Sequence, residues 1–159
     1  MKARINYFKV APDLSSKYRA FSTATKTKAV VRELEALVTI RASQLNGCGF
    51  CLDMHVKAAK IAGEGELHLH HIAIWRESTL FSDRQRAALE WTEALTHLPP
   101  HGVCDELYER MRHHFSEEEL CDLTFLVMAI NGWNRISVAL RAVPGSADAE
   151  YGLDKARFN

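Results

Sequence analysis

Arg41-Ala-Ser-Gln-Leu-Asn-Gly-Cys-Gly-Phe-Cys-Leu-Asp-Met-His55 carries a helix breaker near its middle, and the chain on either side reads as helix. Before the breaker, Val31, Leu34, Leu37, Val38 and Ala42, with Leu45 beyond, recur at helical spacing. Asn46 and Gly47 both tolerate left-handed backbone angles. One helix therefore ends there and a second begins, with Cys48 in its first turn.

The rest of the chain repeats this alternation of helix and corner. Pro12-Asp13-Leu14-Ser15-Ser16 opens a helix through Tyr18 and Phe21, and Ser22 to Lys28, with Thr at 23, 25 and 27, is a weaker stretch that can break. The helix from Cys48 ends near Ile61, where Gly63 and Gly65 make a turn. A short helix covers Leu67 to Trp75. Ser82-Asp83 caps the next, with Ala87, Leu89, Trp91, Ala94 and Leu95 on its apolar face, and Pro99-Pro100 stops it. Val103 to His114 is amphipathic. Ser116 to Glu119 is a capping box for a last helix running to about Ala142, which holds the most apolar run, Leu120 to Ile130.

No strand-like alternation is visible, so the spacing predicts an all-α bundle of about six to eight helices with Cys-x-x-Cys at a helix N-terminus. The long apolar last helix is expected at its centre, buried by the other helices or by a second subunit. Residues 143–159 form a C-terminal tail, read as an arm on a neighbouring subunit or as disorder.

A chain of 159 residues suits one domain, 1–159, with its core within about 30–142. Lys plus Arg and Asp plus Glu number 20 each, so charge gives no reason to expect a nucleic-acid or membrane-surface partner. Residues 1–11 hold no long apolar stretch and no window reads as transmembrane, which points to the cytoplasm. Thiols are kept reduced there. A Cys-x-x-Cys pair in that compartment serves catalysis or metal rather than a structural staple, whereas the isolated Cys104 and Cys121 read as small buried hydrophobes.

Cys48, Cys51 and His55 are the candidate catalytic residues. At about 100° per residue, Cys51 and His55 lie roughly 40° apart and Cys48 and His55 roughly 20° apart, so all three share an arc of about 60°. Residues four apart are neighbours on a helix, which lets His55 approach the Cys51 sulfur directly or through one water. A thiol reacts as its thiolate, whose free pKa of about 8.5 falls beside a histidine or at a helix start. Zinc is the alternative use of the pair, with His55 and one of His68, His70 and His71 completing four ligands. Asn131, Trp133 and Asn134 interrupt the most apolar helix and need buried partners.

The run from Arg41 to His55 resembles the signature of the AhpD-like alkylhydroperoxidases, within the carboxymuconolactone decarboxylase-like superfamily. Trp75-Arg-Glu-Ser-Thr-Leu-Phe-Ser-Asp83 and Ala129-Ile-Asn-Gly-Trp-Asn-Arg135 resemble the same small single-domain branch. The resemblance implies a helical trimer or hexamer without cofactor or metal, whose Cys48 and Cys51 cycle between dithiol and disulfide. It further implies an organic hydroperoxide as substrate, a lipoyl-type dithiol protein or a peroxiredoxin as redox partner, and His55 as part of a proton relay to Cys51. The relay glutamate of the family falls at Ala36, and Glu35 is turned about 100° from that position. A histidine that some members carry between the cysteines is Phe50 here. The relay is thus expected to be reduced to His55, which leaves weak peroxidase turnover, or redox sensing with none, as the expectation.

Overall fold

The computed structural model describes residues 2–156. These form α1 (Tyr7–Val10), α2 (Pro12–Thr25), α3 (Ala29–Leu45), α4 (Gly49–Ile61), α5 (Glu66–His71), α6 (Asp83–Thr96), α7 (Asp105–His114), α8 (Glu117–Leu140) and α9 (Asp148–Tyr151), with 3-10 turns at Ile72–Ile74 and Leu153–Lys155. Among the described residues there is no strand, and the all-α expectation holds. The helix count slightly exceeds the expected range, because α1 and α9 are four-residue pieces too short to show periodicity.

Local chemistry explains the helix starts. Ser82 Oγ accepts from Gln85 N while Gln85 Oε1 accepts from Ser82 N, and Ser116 and Glu119 repeat the exchange at α8. Each box satisfies two backbone donors that a helix start would leave open. At the Asn46-Gly47 corner, Gly47 takes φ +63°, a conformation that costs glycine little. α4 then starts one residue later than the sequence suggests, with Cys48 as its N-cap.

α3 is the helix on which the others gather. It packs against α4, α6 and α8, and Val31, Leu34, Val38 and Ile40 are buried along its length. Each such side chain contributes about 1.5–3 kcal/mol on leaving water. α8 packs against α2, α3, α4, α6 and α7. Its Phe125, Met128 and Val138 remain exposed on the face those helices leave open. At 24 residues α8 is also long and apolar enough to cross a membrane, by length and composition alone, which corrects the expectation that no stretch qualifies. Asn131 and Asn134 hydrogen-bond from it to other helices, the pattern of a packed helix.

Two crossings bring the chain ends to one place. α2 lies on α8 at Gly132, where the Tyr18 hydroxyl donates to Ala129 O at 2.9 Å and a Cβ added to Gly132 would lie 1.9 Å from the Tyr18 hydroxyl oxygen. Residues 143–156 of the C-terminal tail fold back onto α4 of their own chain; residues 157–159 lie outside the described ones. Lys57 Nζ, buried on α4, reaches Asp148 Oδ2 at 2.7 Å and Asp53 Oδ2 at 2.8 Å. Asp53 Oδ2 also accepts from Gly145 N at 2.9 Å. Three charged side chains and one backbone amide thus fasten the tail beside the cysteine helix.

Candidate active site

The N-cap position shapes the thiol chemistry. Cys48 Sγ accepts a hydrogen bond from Cys51 N at 3.3 Å, as a capping oxygen would. Both cysteines are free thiols and almost wholly buried. The Cys51 thiol hydrogen-bonds the Cys48 sulfur, and with the Cys51 amide this outweighs burial and lowers the Cys48 pKa to about 7. The same link, together with burial and the Cys48 charge, raises that of Cys51. Of the two sulfurs, Cys48 is therefore the one that ionises more readily.

Only Cys51 of the pair opens onto a cavity of about 320 Å³. Phe50, Met54, Ile130 and Trp133 give it apolar walls, and the two chain ends roof it: Tyr7 and Phe8 from one side, Ala147 and Tyr151 from the other. Arg19 ties the roof together, donating to Glu150 Oε1 and to the Tyr151 hydroxyl and lying over the Phe8 and Tyr151 rings.

His55 lines the same cavity, but no hydrogen bond joins its ring to either sulfur, so the direct approach expected from helical spacing is not made. Burial, with the Lys26 ammonium adding to it, pushes its pKa down to about 3 and leaves the imidazole neutral. Glu35 also lines the cavity, 2.5 Å from Lys26 Nζ, while Ala36 packs against the core. Glu35, though turned from the relay position at Ala36, thus reaches the cavity, as does Thr39 one helical turn on.

The far side of the cysteines is closed by polar groups that satisfy one another. Asn46 Nδ2 donates to Asn131 Oδ1 at 3.0 Å and to Asn134 Oδ1 at 2.9 Å, and Asn134 Nδ2 donates to Ser43 Oγ at 3.1 Å. Asn131 Nδ2 reaches Thr96 Oγ1 and Val127 O. The network pins the Asn46-Gly47 corner, and hence the start of α4, to α8. Trp133, whose Nε1 donates to Ser22 Oγ at 2.7 Å, belongs to the cavity wall instead.

Other sequence candidates fall elsewhere. His68 pairs with Glu64 and lies on the Phe81 ring, His71 meets Ser78 Oγ, and neither they nor His70 line the cavity. Among the described residues no three His, Cys, Asp or Glu side chains gather as a metal site, so the fourth-ligand scheme has no support. Cys104 and Cys121 are exposed rather than buried. Sequence reasoning missed Tyr7, Arg19 and Ser137. Tyr7 lies in a helix too short to recognise, and Ser137 follows the polar residues of α8 at ordinary helical spacing.

The profile of the Carboxymuconolactone decarboxylase family matches residues 12–94. The uncharacterized protein YdfG of Bacillus subtilis is 39% identical over 140 residues, 88% of this chain and 95% of that one. A protein of unknown function from Agrobacterium tumefaciens, named for the antioxidant defence protein AhpD, superposes with a TM-score of 0.86 at 37% identity, over 90% of this chain and 98% of its own. The debrominase Bmp8 in complex with 2,3,4-tribromopyrrole shares the fold, with a TM-score of 0.78 at 18% identity over 94% and 80% of the two chains. With its all-helical bundle and its Cys48–Cys51 pair at a helix start, the chain belongs to the carboxymuconolactone decarboxylase family, within its AhpD-like superfamily.

Proposed function

We propose that the protein is a dithiol peroxidase that reduces organic hydroperoxides through Cys48 and Cys51. The observation that carries this reading is a buried pair of free thiols at a helix start, whose second member opens onto an apolar cavity. Cys51 attacks the terminal peroxide oxygen while its proton passes to the Cys48 sulfur. Cys51 becomes a sulfenic acid and the O–O bond breaks to release an alcohol once protonated. The Cys48 thiol then condenses with the sulfenic acid, forming the disulfide and expelling water. Cys48 therefore takes the base role first assigned to His55, and His55 serves as a neutral wall of the cavity near Cys51.

An external dithiol must reduce the disulfide, and a lipoyl-type protein or a peroxiredoxin fits that need in a cytoplasmic setting. A homo-oligomer, trimeric or hexameric, suits the half-exposed α8. The aromatic-lined cavity also favours a second reading, reductive debromination. In it the dithiol becomes a disulfide, a bromoarene gains hydrogen in place of bromine, and HBr leaves.

One equivalent of cumene hydroperoxide added to the reduced protein tests the first reading. Thiols should fall from four to two per chain, with a Cys48–Cys51 disulfide in the peptide map. Retention of all four thiols in hydroperoxide, with disulfide formation and bromide release from 2,3,4-tribromopyrrole, would establish the second reading instead.

A further inference from the structure

Breaking the peroxide bond leaves an alkoxide inside an apolar chamber, where an unpaired charge is costly. The chamber must therefore hold a proton donor near Cys51. Lys26 is paired with Glu35 and Arg19 with Glu150. His55 is held neutral by burial and by the Lys26 charge, so it carries no acidic proton to give.

The Tyr7 hydroxyl differs in each respect. It lines the cavity, carries no ion pair, has the Ser137 hydroxyl as its polar neighbour, and lies close enough to Cys51 and Cys48 to feel their charge. Burial raises its pKa, so the phenol keeps its proton at neutral pH. Its ring is held 4.7 Å from that of Phe8 and 6.1 Å from that of Trp133. Its carbonyl accepts from Ser15 Oγ at 3.0 Å. Beside it, Ser137 Oγ is buried and has no hydrogen-bond partner, although Tyr7 and both cysteines are its neighbours. An orphaned buried hydroxyl is rare in a folded protein and marks a place that a ligand can complete.

We propose that Tyr7 is the catalytic proton donor to the leaving oxygen, with Ser137 hydrogen-bonding the bound peroxide beneath it. The inference rests on the peroxidase reading, and Tyr7 comes from α1, outside residues 12–94 of the family match. In the step, the S–O bond to Cys51 forms and the O–O bond breaks, with both its electrons going to the alkoxide. The Tyr7 proton moves to that oxygen, giving the alcohol, and solvent reprotonates the tyrosinate.

The test compares oxidants that differ in how much they need an acid. Cumene hydroperoxide releases a strongly basic alkoxide, whereas peracetic acid releases acetate, which needs no proton. In a background with Cys104→Ser and Cys121→Ser, the rate of thiol oxidation is measured for Tyr7→Phe, which keeps the ring packing, and for Ser137→Ala. Tyr7→Phe should slow cumene hydroperoxide by about a hundredfold, the usual contribution of a general acid, and peracetic acid by less than about twofold. Ser137→Ala should show the same asymmetry to a smaller degree. Equal losses with both oxidants, or no loss with the hydroperoxide, would overturn the role of Tyr7 while leaving the peroxidase reading in place. A parent protein inert to both oxidants would overturn that reading and this inference together.

Discussion

The two sides of the Cys48–Cys51 pair are built on opposite rules. Toward the core, Asn46, Asn131, Asn134, Ser43 and Thr96 join in one hydrogen-bond network. Toward the cavity, Ser137 Oγ is buried without a hydrogen-bond partner among the described residues. Satisfied buried groups fix geometry, and unsatisfied ones carry a cost that a ligand can relieve. The first side thus holds the sulfurs in place, and the second is left free for chemistry.

Breaking the junction between the two sides should have the largest effect. Cys51→Ser abolishes peroxide consumption, and Cys48→Ser stops disulfide formation; both are read by thiol titration and peptide mapping. Next comes the core side. Asn134→Leu removes one acceptor from Asn46 Nδ2 and the donor to Ser43 Oγ and should cost about 1–3 kcal/mol, since buried polar groups lose partners. A urea titration of the two proteins checks it. If the loss is under about 0.5 kcal/mol, the range of a neutral surface change, the network is not what holds the corner.

The charge on the pair gives a smaller, graded effect. With Cys48 lowered to about 7, the thiolate population rises as pH passes upward through that value. Iodoacetamide labelling of the pair should accelerate about tenfold between pH 6 and pH 8 and then level off, because only the thiolate reacts. A rate still climbing above pH 8.5 would mean that the N-cap geometry does not stabilise the anion. Smallest is the effect of Asp148→Ala, which leaves Lys57 with Asp53 alone. Faster amide exchange confined to 143–156 is expected, with α3 unchanged.

The same contrast explains what was legible in the sequence. The helices were, because capping boxes at Ser82 and Ser116 and the Asn46-Gly47 corner are local signals. The polar residues of α8 were recognisable as needing partners, since Asn131 and Asn134 interrupt an apolar run. The cavity side was not, because Tyr7, Arg19, Ser137 and Tyr151 come from separated parts of the chain and meet only after folding. Glu35 was judged by helical angle alone, which cannot show how wide an arc of α3 the cavity uses. The role given to His55 rested on spacing from Cys51, and spacing does not reveal that Cys48 lies nearer in hydrogen-bond terms.

The most direct test is to trap the sulfenic acid in Cys48→Ser with dimedone during exposure to cumene hydroperoxide, and to map the adduct. An adduct on Cys51 is the predicted result, formed more slowly than the parent's disulfide, since that sulfur faces the cavity while both its base and its resolving partner are gone. Labelling of Cys104 or Cys121 with none on Cys51 would contradict the account.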